Sequence, residues 1–493
     1  MNSATKLDEL ARHPELFFID GKWVKPSSQS TITVISPITE EPFGRVAEAQ
    51  AADIDVAVTA ARRAFDHGPW PRLSHAERAE YLRRIATEMR ARIDKFAHVW
   101  TAESGASRNM AVPGTARIPD TFDYYAGLAD TFPFVERHKP QSGNTGLLVH
   151  EAVGVVGLIV PWNGPLAMVA WKLAPALLAG CTAVVKTSPE APSAGLLMAE
   201  VVEAAGLPPG VVNFLTADRE VSELLVRDPR VDKISFTGST AAGRKIAAIC
   251  GDRIARCTLE LGGKSAAVIL DDYDLETAAN SISQSARLLT GQICSSLTRV
   301  IVSRNRHDQF AEALSSAFEK IRIGDPFDAG NDMGPLAMAR QLDRVQGYVA
   351  KGVDEGAKLA TGGARPSHLN RGYFIEPTVF ANVDNAMAIA REEIFGPVVS
   401  VIPADSEQQA VDIANDTNFG LNASVFTNDD TRAYEVARQL RSGTVGQNFW
   451  RTDFSIAFGG FKQSGIGREG GIEGLRPYLE SKTVILDGEP AHL

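Results

Sequence analysis

With 493 residues, 44% of them hydrophobic and 22% charged, the chain has the composition of a folded enzyme, and its length suits about three structural units rather than one core. Acidic residues outnumber basic ones 60 to 50, for a net charge of −10, so no nucleic-acid partner is expected; four scattered cysteines, Cys181, Cys250, Cys257 and Cys294, are too few for a disulfide framework. The nine histidines include no HExxH pair, and no metal is expected. No apolar run approaches the ~20 residues that span a bilayer, and the opening MNSATKLDELARHPE lacks the apolar centre of a signal peptide, so a cytoplasmic protein without a membrane partner is expected.

Residues 1–16 are polar and predicted to fray, while FFIDGKWV at 17–24 and TITVISP at 31–37 read as strands broken by turn residues. DIDVAVTAARRAF at 53–65 and SHAERAEYLRRIATEMRARIDKFAHVWTAES at 74–104 carry apolar residues at helical intervals, the second opening on a capping box of Ser74 and Glu77. From 151 the texture changes to short β-branched runs, each followed by a helical segment: VGVVGLIV at 153–160, TAVVK at 182–186, VVNFL at 211–215, KISFT at 233–237 and TLEL at 258–261. A repeat of about 20 to 30 residues is that of βαβ units and predicts an α/β fold on a doubly wound parallel sheet. A second α/β series runs through AAVIL (266–270), RVIVS (299–303), a helix near 307–320 and strands near 397–403 and 422–427, which puts a boundary near 262. The tail strand TVILDGEP follows the glycine-rich FGGFKQSGIGREGG; it resembles the segment 134–152, and its expected partner lies in another subunit.

Cys294 sits in TGQICSS, between a helical stretch and a strand. A free cysteine is commonly a small core residue; flanked by small groups it is also a candidate nucleophile, provided a base or field favours thiolate against its ordinary pKa of about 8.5. Glu260, in TLELGGKS, ends an apolar run where such sheets place ligands, just before Gly262 and Gly263. A solvated charge is the plain alternative; in a partly dry cleft its pKa would rise and suit it to accept a proton. GSTAAG at 238–243 opens a helix after a strand, which suits a simple cap or a phosphate site. It is no P-loop, because Arg244 and Lys245 stand where Lys and then Ser or Thr are required, and GxGxxG is absent. Asn163, in VPWNGP, is either a turn residue or an amide donor to an oxyanion, and Lys186, at the end of the second strand, is either a solvated charge or a ligand contact.

In this order VPWNGP, AWKLAPAL, VVKTSPEAP, LPPGVVN, FTGSTAAG, LELGGKS, GQICSS, MGPL, EEIFGPV, GTVGQN and FGGFKQSGIGRE resemble the aldehyde dehydrogenase superfamily, of the NAD(P)-dependent, non-acylating type, over residues 17–485. The resemblance implies a dinucleotide-binding domain (1–133 and 153–261), a catalytic domain (262–464) and a small β oligomerisation arm (134–152 and 465–493), in a homodimer or homotetramer. It implies NAD as cofactor, NADP as its alternative, and an aldehyde as small-molecule substrate. Cys294 would be the nucleophile, Asn163 and the Cys294 N–H would hold the oxyanion, and Glu260 would activate the water that hydrolyses the thioester. Lys172 and Glu469 match positions of a proton relay to Glu260. Trp162 and Lys186 would contact the cofactor, the latter at the adenosine ribose; Gly238 and Ser239 would face the pyrophosphate, and Glu393 and Phe395 the nicotinamide ribose and its surroundings.

Two departures carry expectations of their own. Pro189 stands where the family commonly has the glutamate that meets the adenosine ribose, with Glu190 one step later, so repulsion of a 2′-phosphate is weakened and NAD is preferred only moderately. Gly164 replaces an aromatic residue frequent after PWN, which widens the substrate tunnel toward bulky aromatic, terpenoid or long-chain aldehydes. The alternatives are a CoA-acylating relative, against which the base Glu260 speaks, and a catalytically silent nucleotide-binding relative.

Overall fold

Five apolar strands, Val155–Ile159, Thr182–Thr187, Val212–Thr216, Lys233–Thr237 and Arg256–Glu260, run parallel in the first sheet of the computed structural model, which describes residues 5–491. The outermost ends of the predicted terminal segments lie outside the described residues. Val155–Ile159 is flanked by Thr182–Thr187 on one side and Lys233–Thr237 on the other. The winding therefore reverses there, and the crevice beyond the carboxyl ends of these strands is where a doubly wound sheet takes a ligand. The predicted Phe17–Ile19 and Lys22–Val24 hairpin extends one edge through Phe18 and Phe214, and Gly465–Ile466 closes the other against Leu259 and Glu260.

The second sheet has seven strands, in the order Lys358–Thr361, Thr378–Ala381, Val398–Ala404, Leu297–Ser303, Ser265–Ile269, Asn422–Phe426 and Thr444–Gln447. All pairs are parallel except the outer Lys358–Thr361 and Thr378–Ala381. The first, second and last of these strands are additions to the sequence expectation.

Three expectations are corrected. The tail strand Leu479–Leu486 does not wait for another subunit: it pairs along its whole length with Thr145–Ala152 of its own chain, which satisfies one ladder edge and leaves only the outer edge open. Val135–His138 covers the other side of Thr145–Ala152. The long helix splits into His75–Arg90 and Ile93–Ser104, because the Arg92 N–H closes a tight bond to the Met89 carbonyl at 2.9 Å and the chain turns to bury Phe96 and Val99. The predicted capping box does form, Ser74 Oγ accepting from the Glu77 N–H. The stretch expected to fray contains a helical turn, Leu7–Leu10, whose two leucines are buried, Leu7 against Gly44. Among the described residues no helix is long and apolar enough to cross a membrane.

Candidate active site

The chain leaves Val155–Ile159 through Trp162 and Asn163 and enters helix Pro165–Ala179, started by a proline in its first turn and stopped by Gly180 at φ +98°. Two side chains of helix Ile93–Ser104 pin this turn: Ser104 Oγ donates to the Trp162 carbonyl and Trp100 Nε1 to the Asn163 carbonyl, both at 2.7 Å. The Asn163 amide in turn donates to the Gln292 carbonyl at 2.9 Å. This uses one of its two N–H groups and aims the side chain at the segment carrying Cys294.

That segment is bent by Leu289, Thr290 and Gly291, three consecutive residues at φ +47°, +55° and +71°. Left-handed backbone in two residues with side chains costs about 1–3 kcal/mol each and persists only where surrounding bonds impose it. Here Thr290 Oγ1 donates to the Gly334 carbonyl, and the buried Gln292 amide donates to the Leu289 carbonyl and accepts from the Ala337 N–H, each at 2.9 Å. Gly291 also packs so tightly on Gly396 that a Cβ would lie 2.4 Å from its carbonyl carbon.

Gly263 lets the Cys294 backbone pack on the segment that follows Glu260: a Cβ on it would stand 2.4 Å from the Cys294 carbonyl oxygen, and Glu260 ends the strand three residues earlier. Burial, then the carboxylates of Glu393 and Glu260, push the Cys294 thiol well above its ordinary value. Glu260 is itself buried, and neither carboxylate oxygen has a hydrogen-bond partner among the described residues. Burial and then Glu469 drive its carboxyl far above the usual range, while Lys172 and Arg468 pull it back.

Behind Glu260 lies an ion pair. Lys172, the one charged side chain on the buried helix Pro165–Ala179, bonds Glu469 directly and donates to Ser235 Oγ at 3.1 Å; Ser235 Oγ reaches the same Glu469 oxygen at 3.2 Å. Glu469 is held in turn by a backbone bridge to Phe458, next to Gly459, where a Cβ would meet Glu260 Oε1 at 2.7 Å.

On the other side of Cys294, Glu393 accepts the Gly263 N–H at 3.1 Å, and its carboxyl is pushed up to about 7, by burial first. Arg344 bonds the carbonyls of Glu393 and Ile394, and Gln341 Nε2 donates to the Phe395 carbonyl at 2.7 Å, fixing Phe395 at φ +63°. Its ring stands edge-on to Trp162, centroids 5.4 Å apart. Gly238 and Ser239 follow Lys233–Thr237; the Gly238 N–H bonds the Glu260 carbonyl at 3.0 Å and Ser239 caps helix Thr240–Asp252. The Thr237 and Thr240 hydroxyls are buried there without a partner among the described residues, next to free N–H groups of a helix start, a setting that fits a phosphate. Lys186 is buried at the end of its strand and pulled down to about 8, by burial first, not the solvated charge that was the plain alternative. Glu190 is bonded by Ser188 and Arg340, and its charge still reaches Lys186.

A third wall is apolar. Gly164, Met168 and Trp171 share the partly exposed face of helix Pro165–Ala179, Trp171 stacks on Phe454 and Phe454 on Phe458, and a Cβ on Gly164 would meet nothing within 4 Å. Around Cys294 the structure brings together Asn163, Glu260 and Glu393, with Lys172 and Glu469 behind Glu260, Gly238 bonded to the Glu260 carbonyl and followed by Ser239, and Phe395 against Trp162, while Lys186 stands near the end of its own strand. Trp100, Ser104, Gln292, Ser235, Gln341 and Arg344 were missed, since each acts on a distant segment that only the fold brings near. Among the described residues no group of three or more His, Cys, Asp or Glu is placed to hold a metal ion.

The pattern of the Aldehyde dehydrogenase family matches residues 23–484. Geranial dehydrogenase of Castellaniella defragrans is 42% identical over 472 residues, 96% of this chain and 98% of the relative. The crystal structure of a Mycobacterium tuberculosis aldehyde dehydrogenase complexed with NAD+ superposes with a TM-score of 0.93 at 43% identity, covering 96% of this chain and 98% of that one. A variant of aldehyde dehydrogenase C from Pseudomonas syringae, complexed with NAD+ and octanal, superposes with a TM-score of 0.93 at 38% identity, covering 98% and 99%. With a match over residues 23–484 and relatives 42% and 43% identical along nearly the whole chain, the chain belongs to the aldehyde dehydrogenase family, oxidoreductases acting on the aldehyde group.

Proposed function

We propose that this chain oxidises a bulky, apolar aldehyde to its carboxylic acid with NAD+, through an acyl group carried on Cys294 and released by water. The observation that carries the proposal is that the Cys294 backbone packs on Gly263, three residues after a buried and unbonded carboxylate, Glu260, whose charge reaches the Cys294 thiol. Trp162, Lys186, Gly238, Ser239, Glu393 and Phe395 would hold the nucleotide, the pyrophosphate at the start of helix Thr240–Asp252. When bound, NAD+ supplies a hydride acceptor and a positive charge beside the sulfur.

In the resting crevice the thiol is held protonated by burial and by two carboxylates, which keeps it unreactive. Positive charge beside it favours the thiolate, and Glu260 takes the thiol proton and passes it on toward Glu469 and Lys172, returning to the carboxylate. The sulfur then attacks the aldehyde carbon, a C–S bond forms, and the carbonyl oxygen becomes an oxyanion within reach of the free N–H of Asn163 and the backbone N–H of Cys294. A planar carbonyl cannot expel hydride, whereas this tetrahedral adduct can, leaving a thioester. Glu260 next takes a proton from water as the water oxygen bonds the acyl carbon; the C–S bond breaks, the sulfur leaves as thiolate, and the acid departs. Lys172 and Glu469 sit behind Glu260 as the route by which its proton is passed on.

Pro189 stands where a carboxylate would meet the adenosine ribose, and Glu190, one step later, is neutralised by Arg340, so NAD is preferred moderately and NADP is admitted. The open space at Gly164 beside the Met168, Trp171 and Phe454 wall supports aromatic, terpenoid or long-chain aldehydes, in line with the geranial of the Castellaniella relative and the octanal bound by the Pseudomonas one. The division into 1–133 with 153–261, 262–464, and 134–152 with 465–493 is carried into this proposal, as are a cytoplasmic setting and a homodimer or homotetramer built on the open edge of Leu479–Leu486.

The test is an aldehyde panel with NAD+ or NADP+, with and without CoA, following reduced nucleotide, with Cys294→Ala as control. Benzaldehyde and decanal are expected to give higher kcat/KM than acetaldehyde, and Gly164→Phe to cost the two large substrates about tenfold relative to acetaldehyde. A clear wild-type preference for acetaldehyde rejects the substrate class, dependence on CoA rejects hydrolysis, and turnover by Cys294→Ala rejects the mechanism.

A further inference from the structure

Ser235 is the middle residue of Lys233–Thr237 and fully buried. Buried serines on such strands usually spend their hydroxyl on nearby backbone. This one accepts from Lys172 Nζ at 3.1 Å and donates to Glu469 Oε1 at 3.2 Å, closing a triangle with the direct Lys172–Glu469 pair. The three side chains come from a helix, a strand and the segment after Gly465–Ile466, so the hydroxyl is where three elements lock together. The other titratable groups facing the triangle are Glu260, Tyr125 from helix Pro119–Leu128, Lys233, and Tyr478, which interacts with Ser235 and Glu469; Arg468 and Cys181 lie one step further out, beside Glu260 and beside Lys233 and Tyr478. Lys233 is occupied with Thr258 Oγ1 at 2.6 Å and with the Tyr478 ring. Among the described residues, no other side chain besides Ser235 bonds both members of the pair.

We propose that Ser235 is a positioning residue for the hydrolysis of the acyl group: its hydroxyl fixes Lys172 and Glu469 in the one arrangement that sets the charge felt by Glu260, without touching substrate or nucleotide. The inference rests on the reading of Glu260 as the base that activates water. A buried ion pair repays its desolvation only when further hydrogen bonds satisfy it. Glu469 Oε2 already lacks a partner among the described residues, so the Ser235 bond is one of the few that satisfy the pair. Glu469 pushes Glu260 up and Lys172 pulls it down, so freeing the ammonium from the serine changes the balance at the base.

Ser235→Ala in the full chain, mixed rapidly with NAD+ and decanal, tests this. The NADH burst is expected to keep its amplitude, the steady rate to fall about tenfold, and the acid limb of the kcat profile to move by about half a pH unit or more. Ser235→Thr, which keeps the hydroxyl, is expected to restore both. Thermal unfolding and the burst amplitude confirm that each variant is folded. A normal steady rate and profile in Ser235→Ala, while Glu260→Gln loses the steady rate, overturns the role of Ser235 alone; a normal steady rate in Glu260→Gln overturns the reading beneath it as well. A reduced burst with an unmoved pH profile marks Ser235 as merely structural and overturns the proposal.

Discussion

Two carboxylates flank Cys294, and both raise its thiol, yet they are held in opposite ways. Glu260 is fixed through its backbone: its carbonyl takes the Gly238 N–H, its residue pairs with Thr237 and Gly465, and its two carboxylate oxygens are left free among the described residues. Glu393 has the reverse arrangement, a side chain parked on the Gly263 N–H within a backbone clamped by Arg344 and Gln341. A rigid acceptor with open lone pairs suits a small partner that comes and goes, such as water. A carboxylate that needs to give up only one backbone bond suits exchange onto the hydroxyls of a larger ligand, and the clamp ensures that the side chain moves and the loop does not. The difference teaches that burial alone does not assign a carboxylate its task; what the oxygens are left to do assigns it.

The sharpest way to break this comparison is to neutralise each carboxylate in turn. Glu260→Gln is expected to lower the steady rate by roughly a hundredfold or more while leaving the first NADH burst, because only the step after hydride transfer needs the base. Since burial and Glu469 raise this carboxyl well above the usual range, the wild-type steady rate is expected to fall as pH drops through that raised value, where the base becomes protonated; the limb should vanish from the residual activity of the variant. Glu393→Gln keeps the shape and removes the charge. It is expected to raise the KM for NAD+ about tenfold, the loss of a charge-assisted bond, with a smaller change in the hydrolytic step. Rapid-mixing and steady-state kinetics on both variants decide it: a lost burst in Glu260→Gln, or a lost steady rate with normal KM in Glu393→Gln, would exchange their roles.

The division between the two carboxylates also marks what can be read before folding. Glu260 and Cys294 were legible because each sits at a chain position that sequence chemistry marks, the end of a β-branched run and a small polar stretch before a strand. The doubly wound sheets were legible for the same reason, strand length and spacing being local properties. Trp100, Ser104 and Gln341 were not, because a tryptophan or serine on an amphipathic helix looks alike whether it faces core or a distant carbonyl. Leu289 and Thr290 were hidden more deeply: both disfavour φ above zero, and only bonds from Gln292 and Thr290 across the fold hold them there. The tail strand was misjudged because an edge carries no address; whether its partner is its own chain or a second copy is decided by connection length, not by its residues.

A third buried carboxylate provides the control for both. Glu103, in helix Ile93–Ser104, accepts bonds from the Ser193 hydroxyl and N–H, and burial pushes it up to about 8. It resembles Glu393 in both respects, but among the described residues no thiol is seen to act on it, which leaves it a role in stability rather than in chemistry. Its folded value lies above the ordinary one; the stability it contributes is therefore fully present below about 4.5 and is lost as pH rises through about 8. Glu103→Gln removes that titration. Between those two pH values the Tm of the wild type is expected to decline, and the decline is expected to be shallower in the variant by roughly 2 °C. The kcat, the burst and the KM for NAD+ should all stay at wild-type values. A variant whose Tm tracks the wild type across that window would show that Glu103 is ionised in the folded chain, and a displaced kcat profile would show that raised buried carboxyls act on Cys294 from further away than the contrast between Glu260 and Glu393 allows.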